Sequence, residues 1–183
     1  MPQQKFKTVL FICTVNHYRS RFSECFFNAL AKERGLPWRA TSRGFKTWMW
    51  DGHEPISEFT AYRLIAMGIP FARDRFPIQL SETDLENADL VVAVKDGEHR
   101  AMMEEQFPAW TDCIEYWHVD DLDCVPPEET PADCQFFGFK AKAERLTEDR
   151  IPQGNRSPVV RRTVSDLAGG LSLGHVVHRI TLW

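Results

Sequence analysis

Five residues separate Cys13 from Arg19, and Ser20 follows directly, in the run Cys13-Thr14-Val15-Asn16-His17-Tyr18-Arg19-Ser20. At that spacing a thiol and a guanidinium face one another across a tight loop whose intervening backbone N–H groups turn inward. Such a loop holds a tetrahedral oxyanion. A phosphate within it meets the N–H groups of Thr14, Val15, Asn16, His17, Tyr18, Arg19 and Ser20, the positive end of a following helix, and the Arg19 guanidinium. The planar fork of Arg19 matches two phosphoryl oxygens at once. The same field favours the thiolate of Cys13, the nucleophilic form for phosphoryl transfer. Ser20 is placed to donate its hydroxyl to that sulfur, and Asn16 sits where the loop must turn sharply, a position of positive φ that Asn tolerates. His17 either adds positive charge at the entrance or is a partly exposed loop side chain.

These residues need a strand before them and a helix after. Thr8 to Ile12 is apolar after its first residue and rich in β-branched and aromatic side chains, as a strand covered on both faces is. From Ser20 the period changes: Phe22, Cys25, Phe26, Ala29 and Leu30 fall on one helical stripe, with Ser20 as N-cap and Gly35 as the stop. Trp38 to Ser42 reads as a second strand, followed by a loop, Phe45 to His53, that carries Trp48 and Trp50. Ser57 to Met67 reads as a helix, Asp84 to Ala88 as a short turn or helix, and Leu90 to Val94 as a strand. A helix is predicted over Gly97 to Phe107 and another strand over Cys113 to Val119. Strands alternating with helices predict an α/β fold of three layers, doubly wound, with a central four-stranded parallel sheet and helices on both faces.

Composition sets the outer bounds. At 183 residues, 43% hydrophobic and 26% charged, the chain has the length and make-up of one globular domain, residues 1–183. A divergent loop or insertion is expected around 120–158, where Pro126, Pro127 and Pro131 interrupt an acidic run, and an atypical segment over 159–183. Within these, Phe136 to Glu148 and Val159 to Leu171 are helical in pattern. The net charge of −4 gives no general attraction for nucleic acid or a membrane surface. The odd count of five cysteines, without repeating spacing, points to a reducing cytoplasm. The apolar start lacks a small-x-small cleavage site, so it is not read as a signal peptide, and no apolar run approaches membrane-spanning length. Oligomeric state is not legible.

The strand and loop, the Asn at its centre, the Arg-Ser close and Glu24 on the helix resemble the low-molecular-weight protein tyrosine phosphatases. The resemblance extends through Ser42-Arg43-Gly44, Gly68-Ile69, Ala88-Asp89-Leu90-Val91-Val92 and Trp117-His118-Val119-Asp120-Asp121. It implies hydrolysis of phosphotyrosine or a related aryl phosphate monoester through a Cys13 phosphocysteine. It also implies a distant Asp as general acid and then base; the match is Asp121, with Asp120 as the alternative. Trp48 falls near an aromatic position that flanks the substrate ring, and Trp50 is a second candidate. No metal or other cofactor is implied. The implied substrates are phosphorylated proteins or small aryl phosphates, with phosphate and vanadate as inhibitors. The chain departs from the family pattern at Val15 and Tyr18 in the loop, at Leu122 beside the acid, and at Arg21, which adds positive charge close to the mouth.

Other readings compete. A thioredoxin-linked arsenate reductase shares the loop, but it needs relay cysteines; the segment Gly97 to Phe107 has none, and Cys113, Cys124 and Cys134 come late. A phosphate- or phosphoprotein-binding module with impaired catalysis is favoured by Val15, Leu122 and the unusual C-terminal third. In the plainest reading Cys13 and Arg19 are packing residues of an α/β domain with another role.

Overall fold

The structure, a computed structural model, describes residues 6–50, 52–119 and 142–147. All lie within one compact unit, Met1–Gln153. The apolar run after Phe6 forms strand β1 (Lys7–Cys13), and helix α1 (Arg19–Glu33) follows the loop. Strand β2 (Trp38–Gly44), helices α2 (Glu58–Ala66) and α3 (Glu82–Asn87), strand β3 (Leu90–Ala93), helix α4 (Asp96–Gln106) and strand β4 (Glu115–Tyr116) come next in the chain. Residues 142–147 are also helical.

The sheet is parallel throughout, in the order β2-β1-β3-β4. β1 lies between β2 and β3, with Cys13 opposite Gly44 and Ile12 opposite Ala93. The side-chain alternation of β1 separates two cores. Val9, Phe11 and Cys13 pack with Phe22, Phe26 and Phe27 of α1, Leu64 of α2, Trp117, Ala143 and Leu146. Leu10 and Ile12 pack on the other face with Phe45, Leu85 of α3, Val91 and Met103 of α4. The three-layer α/β architecture with a four-stranded parallel sheet is therefore the one read from the sequence.

Several local expectations change. Ser20 is not the N-cap: Tyr18 holds that position, and Ser20 is already the second residue of α1. The reason is chemical, because the Ser20 hydroxyl is engaged with Cys13 and Asn16 and is not turned back to the helix N–H groups. The strand expected over Cys113 to Val119 is only two residues long. Cys113 is held in a turn by its N–H to the Trp110 carbonyl, while Trp117 and Val119 keep backbone bonds to Ala93 and Val94. α2 turns Phe59, Tyr62 and Ile65 outward and buries only Thr60 and Leu64. Gly35, with φ of 63°, does stop α1, since a left-handed residue there ends the helix at little steric cost. Asp120, Asp121, Leu122, the acidic proline-bearing segment and the helix expected over Val159 to Leu171 lie outside the described residues.

Candidate functional site

Cys13 ends β1 and Arg19 opens α1, so the loop between them crosses the C-terminal edge of the sheet. β1 is flanked there by β2 on one side and β3 on the other, the switch point at which open α/β sheets bind ligands. Asn16 adopts φ of 61°, as expected for the sharp turn. The turn brings its backbone N–H to 3.2 Å from the Cys13 Sγ, while the Ser20 Oγ lies 3.0 Å from the same sulfur. The Ser20 oxygen already accepts a bond from the Asn16 side chain, which leaves its own hydroxyl hydrogen for the sulfur. Cys13 and Arg19 are each only 3% exposed.

The Asn16 side chain fixes the turn. Its Nδ2 donates to Ser20 Oγ at 2.9 Å and to Ser42 Oγ of β2 at 2.8 Å, and its Oδ1 accepts the Ile78 N–H at 3.0 Å. Ser42 in turn donates to Glu24 of α1 at 2.5 Å, and Arg75 donates to both Glu24 oxygens and to Ser42. Buried polar groups satisfied in this way specify a single arrangement, because each unmade bond leaves a desolvated donor or acceptor. Glu24 and Ser42 thereby acquire physical roles. Arg75 is an addition that sequence reasoning missed, since nothing in the pattern of its segment marks it.

Gly44, the last residue of β2, lies directly against the loop. A Cβ there would stand 2.8 Å from the Val15 carbonyl carbon and 2.9 Å from the Asn16 nitrogen, both backbone atoms of the loop. Glycine lets β2 approach closely. Beyond it, Phe45 N–H donates to the Cys13 carbonyl at 3.0 Å and Lys46 N–H to the Thr14 carbonyl at 2.7 Å. These bonds staple the tryptophan-bearing loop to the first turn of the oxyanion loop. Trp48 lies in a short 3-10 turn, Thr47–Met49, and is 67% exposed. Trp50 instead stacks on the His17 ring with centroids 3.7 Å apart and donates its indole N–H to the Glu54 carbonyl. Burial lowers the His17 imidazole below its ordinary value, the nearby Arg21 charge adds to that, and a backbone contact at Glu54 partly offsets it. His17 is therefore biased toward the neutral ring and does not serve as a fixed positive charge.

Arg21 departs furthest from expectation. It is 1% exposed, and its guanidinium donates to the carbonyls of Arg75 at 2.6 Å, Ala72 at 3.1 Å and Pro55 at 3.5 Å. It clasps two loops from a buried position, so the charge that reaches His17 comes from within the fold and not from a side chain exposed at the mouth. Tyr18, at 7% exposure, is a core residue whose carbonyl accepts the Phe22 N–H.

On the β3 side of the loop, Arg19 meets Glu98 of α4. Nη1 donates to Oε2 at 2.8 Å and Nη2 to Oε1 at 3.1 Å, an end-on bidentate pair. The Thr14 hydroxyl also donates to Glu98, and Arg19 Nη2 reaches the Thr14 oxygen at 3.4 Å. His99 is fully buried, and its Nδ1 accepts the Lys95 N–H at 3.0 Å. That assigns the ring proton to Nε2, which faces Glu98 Oε1 at 3.5 Å and Thr14 Oγ1 at 3.3 Å. Burial alone would raise the Glu98 carboxyl; hydrogen bonds from His99, Arg19 and Thr14, with the Arg19 charge, overcome it and hold the group well below the usual carboxylate range. Glu98 and His99 were not singled out from the sequence. Their signal was their place in the first turn of the helix that follows the strand beside β1.

Cys13, Thr14, Asn16, Arg19 and Ser20 are thus brought together, Trp50 lies against the loop through His17, and Trp48 stands in solvent. No group of side chains suited to hold a metal ion occurs among the described residues, and no helix among them is long and apolar enough to cross a membrane.

A family model described as low molecular weight phosphotyrosine protein phosphatase matches residues 8–121, more than half of the chain. A low molecular weight protein tyrosine phosphatase from T. tengcongensis is 30% identical in sequence, with a TM-score of 0.60 over 76% of this chain and 99% of its own. Two others share the fold at lower identity. The one from Vibrio cholerae O395 is 17% identical, with a TM-score of 0.67 over 81% of this chain and 99% of its own. The one from Streptococcus pyogenes is 19% identical, with a TM-score of 0.63 over 79% and 96%. No curated protein matches the chain.

Proposed function

The chain belongs to the low molecular weight phosphotyrosine protein phosphatase family, and on that footing we propose that it hydrolyses phosphotyrosine or a related aryl phosphate monoester in the cytoplasm. The observation that carries this reading is the environment of Cys13, whose sulfur meets the Asn16 N–H and the Ser20 hydroxyl in a loop closed by the buried Arg19.

In the proposed reaction the Cys13 thiolate attacks phosphorus as the ester oxygen leaves, so an S–P bond forms while the O–P bond breaks. The loop N–H groups from Thr14 to Ser20 and the Arg19 guanidinium hold the equatorial oxygens as charge builds on them. Asp121, or Asp120 in its place, gives a proton to the departing phenolate. The same carboxylate then takes a proton from water as that water attacks phosphorus, and the Cys13 thiolate departs with the hydrogen bond of Ser20 restored. Trp48 supplies an exposed aromatic face for the substrate ring, held near the site by the Phe45 and Lys46 backbone bonds.

Turnover of a chromogenic aryl phosphate tests the reading, with Asp121→Ala and Asp120→Ala assayed alongside the parent. Loss of the acid is expected to lower kcat by about a hundredfold or more. The effect should appear in Asp121→Ala and be small in Asp120→Ala; the reverse would move the acid to Asp120. A parent that binds inorganic phosphate but does not turn over would make the protein a binding module.

Gly44→Ala provides a second test, at a residue that supports the loop and contributes no side chain to it. Its new methyl must displace loop backbone at Val15 and Asn16, and a shift of that kind is expected to lower kcat/KM by about a hundredfold while the fold persists by circular dichroism. Parent-like kinetics would show that the donors of the loop do not depend on this close approach.

A further inference from the structure

The Glu98 carboxylate is absent from the chemistry just proposed, yet it accepts two charge-assisted hydrogen bonds from Arg19. We propose that Glu98 is a positioning residue for the oxyanion loop: by gripping both Nη atoms of Arg19 end-on, it fixes the plane in which the guanidinium meets a bound phosphate.

The geometry of a guanidinium makes this possible. Its N–H donors lie in one plane along more than one edge, so an end-on carboxylate and an oxyanion at another edge are compatible. A lone Arg19 rotates about its side-chain torsions, and ordering it on each binding event costs conformational entropy. An Arg19 already held by two parallel bonds has lost that freedom beforehand. Glu98 is itself held in place. Its backbone is in the first turn of α4, the Thr14 hydroxyl and His99 Nε2 face it, and His99 is locked by the Lys95 N–H. The frame thus runs from the end of β3 through α4 to Arg19, and the Glu98 side chain remains 33% exposed. Thr14 ties the frame to the loop itself.

The inference rests on reading the loop as an oxyanion cradle, and its test separates the two. Orthovanadate binding, followed by calorimetry, is compared with aryl phosphate turnover in the parent, Glu98→Gln, Glu98→Asp, Arg19→Lys and the Arg19→Lys/Glu98→Gln double variant. Glu98→Gln should weaken vanadate binding and lower kcat/KM by about tenfold each, with thermal unfolding close to that of the exposed-site control Glu104→Gln. Glu98→Asp, which keeps the charge but withdraws it by one methylene, should fall between the parent and Glu98→Gln. In the Arg19→Lys background the Glu98→Gln effect should shrink to about twofold or less, because an ammonium has no plane to fix.

Tighter vanadate binding in Glu98→Gln would make the carboxylate a competitor for Arg19 and overturn the proposal. So would an unchanged affinity, or an equal loss in both backgrounds. A parent that binds vanadate without turning over aryl phosphate would defeat the phosphatase reading, and the Glu98 inference would then be judged on binding alone. A parent that binds no vanadate would remove both.

Discussion

Replacing Cys13 with Ser is expected to lower aryl phosphate turnover by on the order of 10⁵-fold while inorganic phosphate still binds. The two parts of this result have separate physical origins. A serine hydroxyl is a far weaker acid than a thiol and remains protonated in the same field, so the attacking anion is lost. The cradle survives, because Asn16 is fixed by Ser20, Ser42 and the Ile78 N–H, and only its N–H contact touches the sulfur. Oxygen in place of sulfur keeps an acceptor for both the Ser20 hydroxyl and the Asn16 N–H. Acid-quenched mass spectrometry of the parent should find a phosphoryl group on the peptide holding Cys13, and none on the variant. Retention of a hundredth of the parent rate by Cys13→Ser would mean that another group attacks phosphorus.

Arg19→Lys should lower kcat/KM by about a thousandfold. Arg19 is buried at the start of α1, where a lysine keeps the charge but gives up the flat fork. Lysine is the informative choice. An alanine would leave the partly buried Glu98 carboxylate and Thr14 hydroxyl without the guanidinium and confuse lost catalysis with lost stability. If Arg19→Lys retains most of the parent kcat/KM, charge alone suffices and the planarity of the site is irrelevant. Steady-state kinetics of the two proteins, with their thermal unfolding as a check, decides the matter.

The strand, loop and first helix were legible because each announced itself locally. A continuous apolar run marks a strand covered on both faces, a change to helical period marks α1, and asparagine is the residue that tolerates the left-handed turn between them. The Cys13, Ser20 and Asn16 contacts span at most seven positions of sequence. The pairing of Arg19 with Glu98, seventy-nine positions apart, was not legible. It exists only because β3 lies beside β1, and the sequence implied a parallel sheet without stating its strand order. Arg21 failed for the opposite reason. A charged residue at the start of this helix reads as added charge close to the mouth, but here the loops carrying Pro55, Ala72 and Arg75 turn three carbonyls toward it and bury it. The acid assignment at Asp120 or Asp121 rests on family resemblance alone, since both lie outside the described residues.

The left-handed turn at Asn16 bears on how this loop can be engineered. Its side chain reaches the end of β2 through Ser42 and the segment before Leu80 through Ile78, and the turn itself packs on Gly44. An excised peptide of residues 13–20 would carry every donor and still relax, because two of the asparagine's three side-chain partners and the close-packed glycine belong to other segments. Transplanting the loop into another scaffold would therefore require a discontinuous graft of the eight residues with Ser42, Gly44 and a backbone N–H at the Ile78 position.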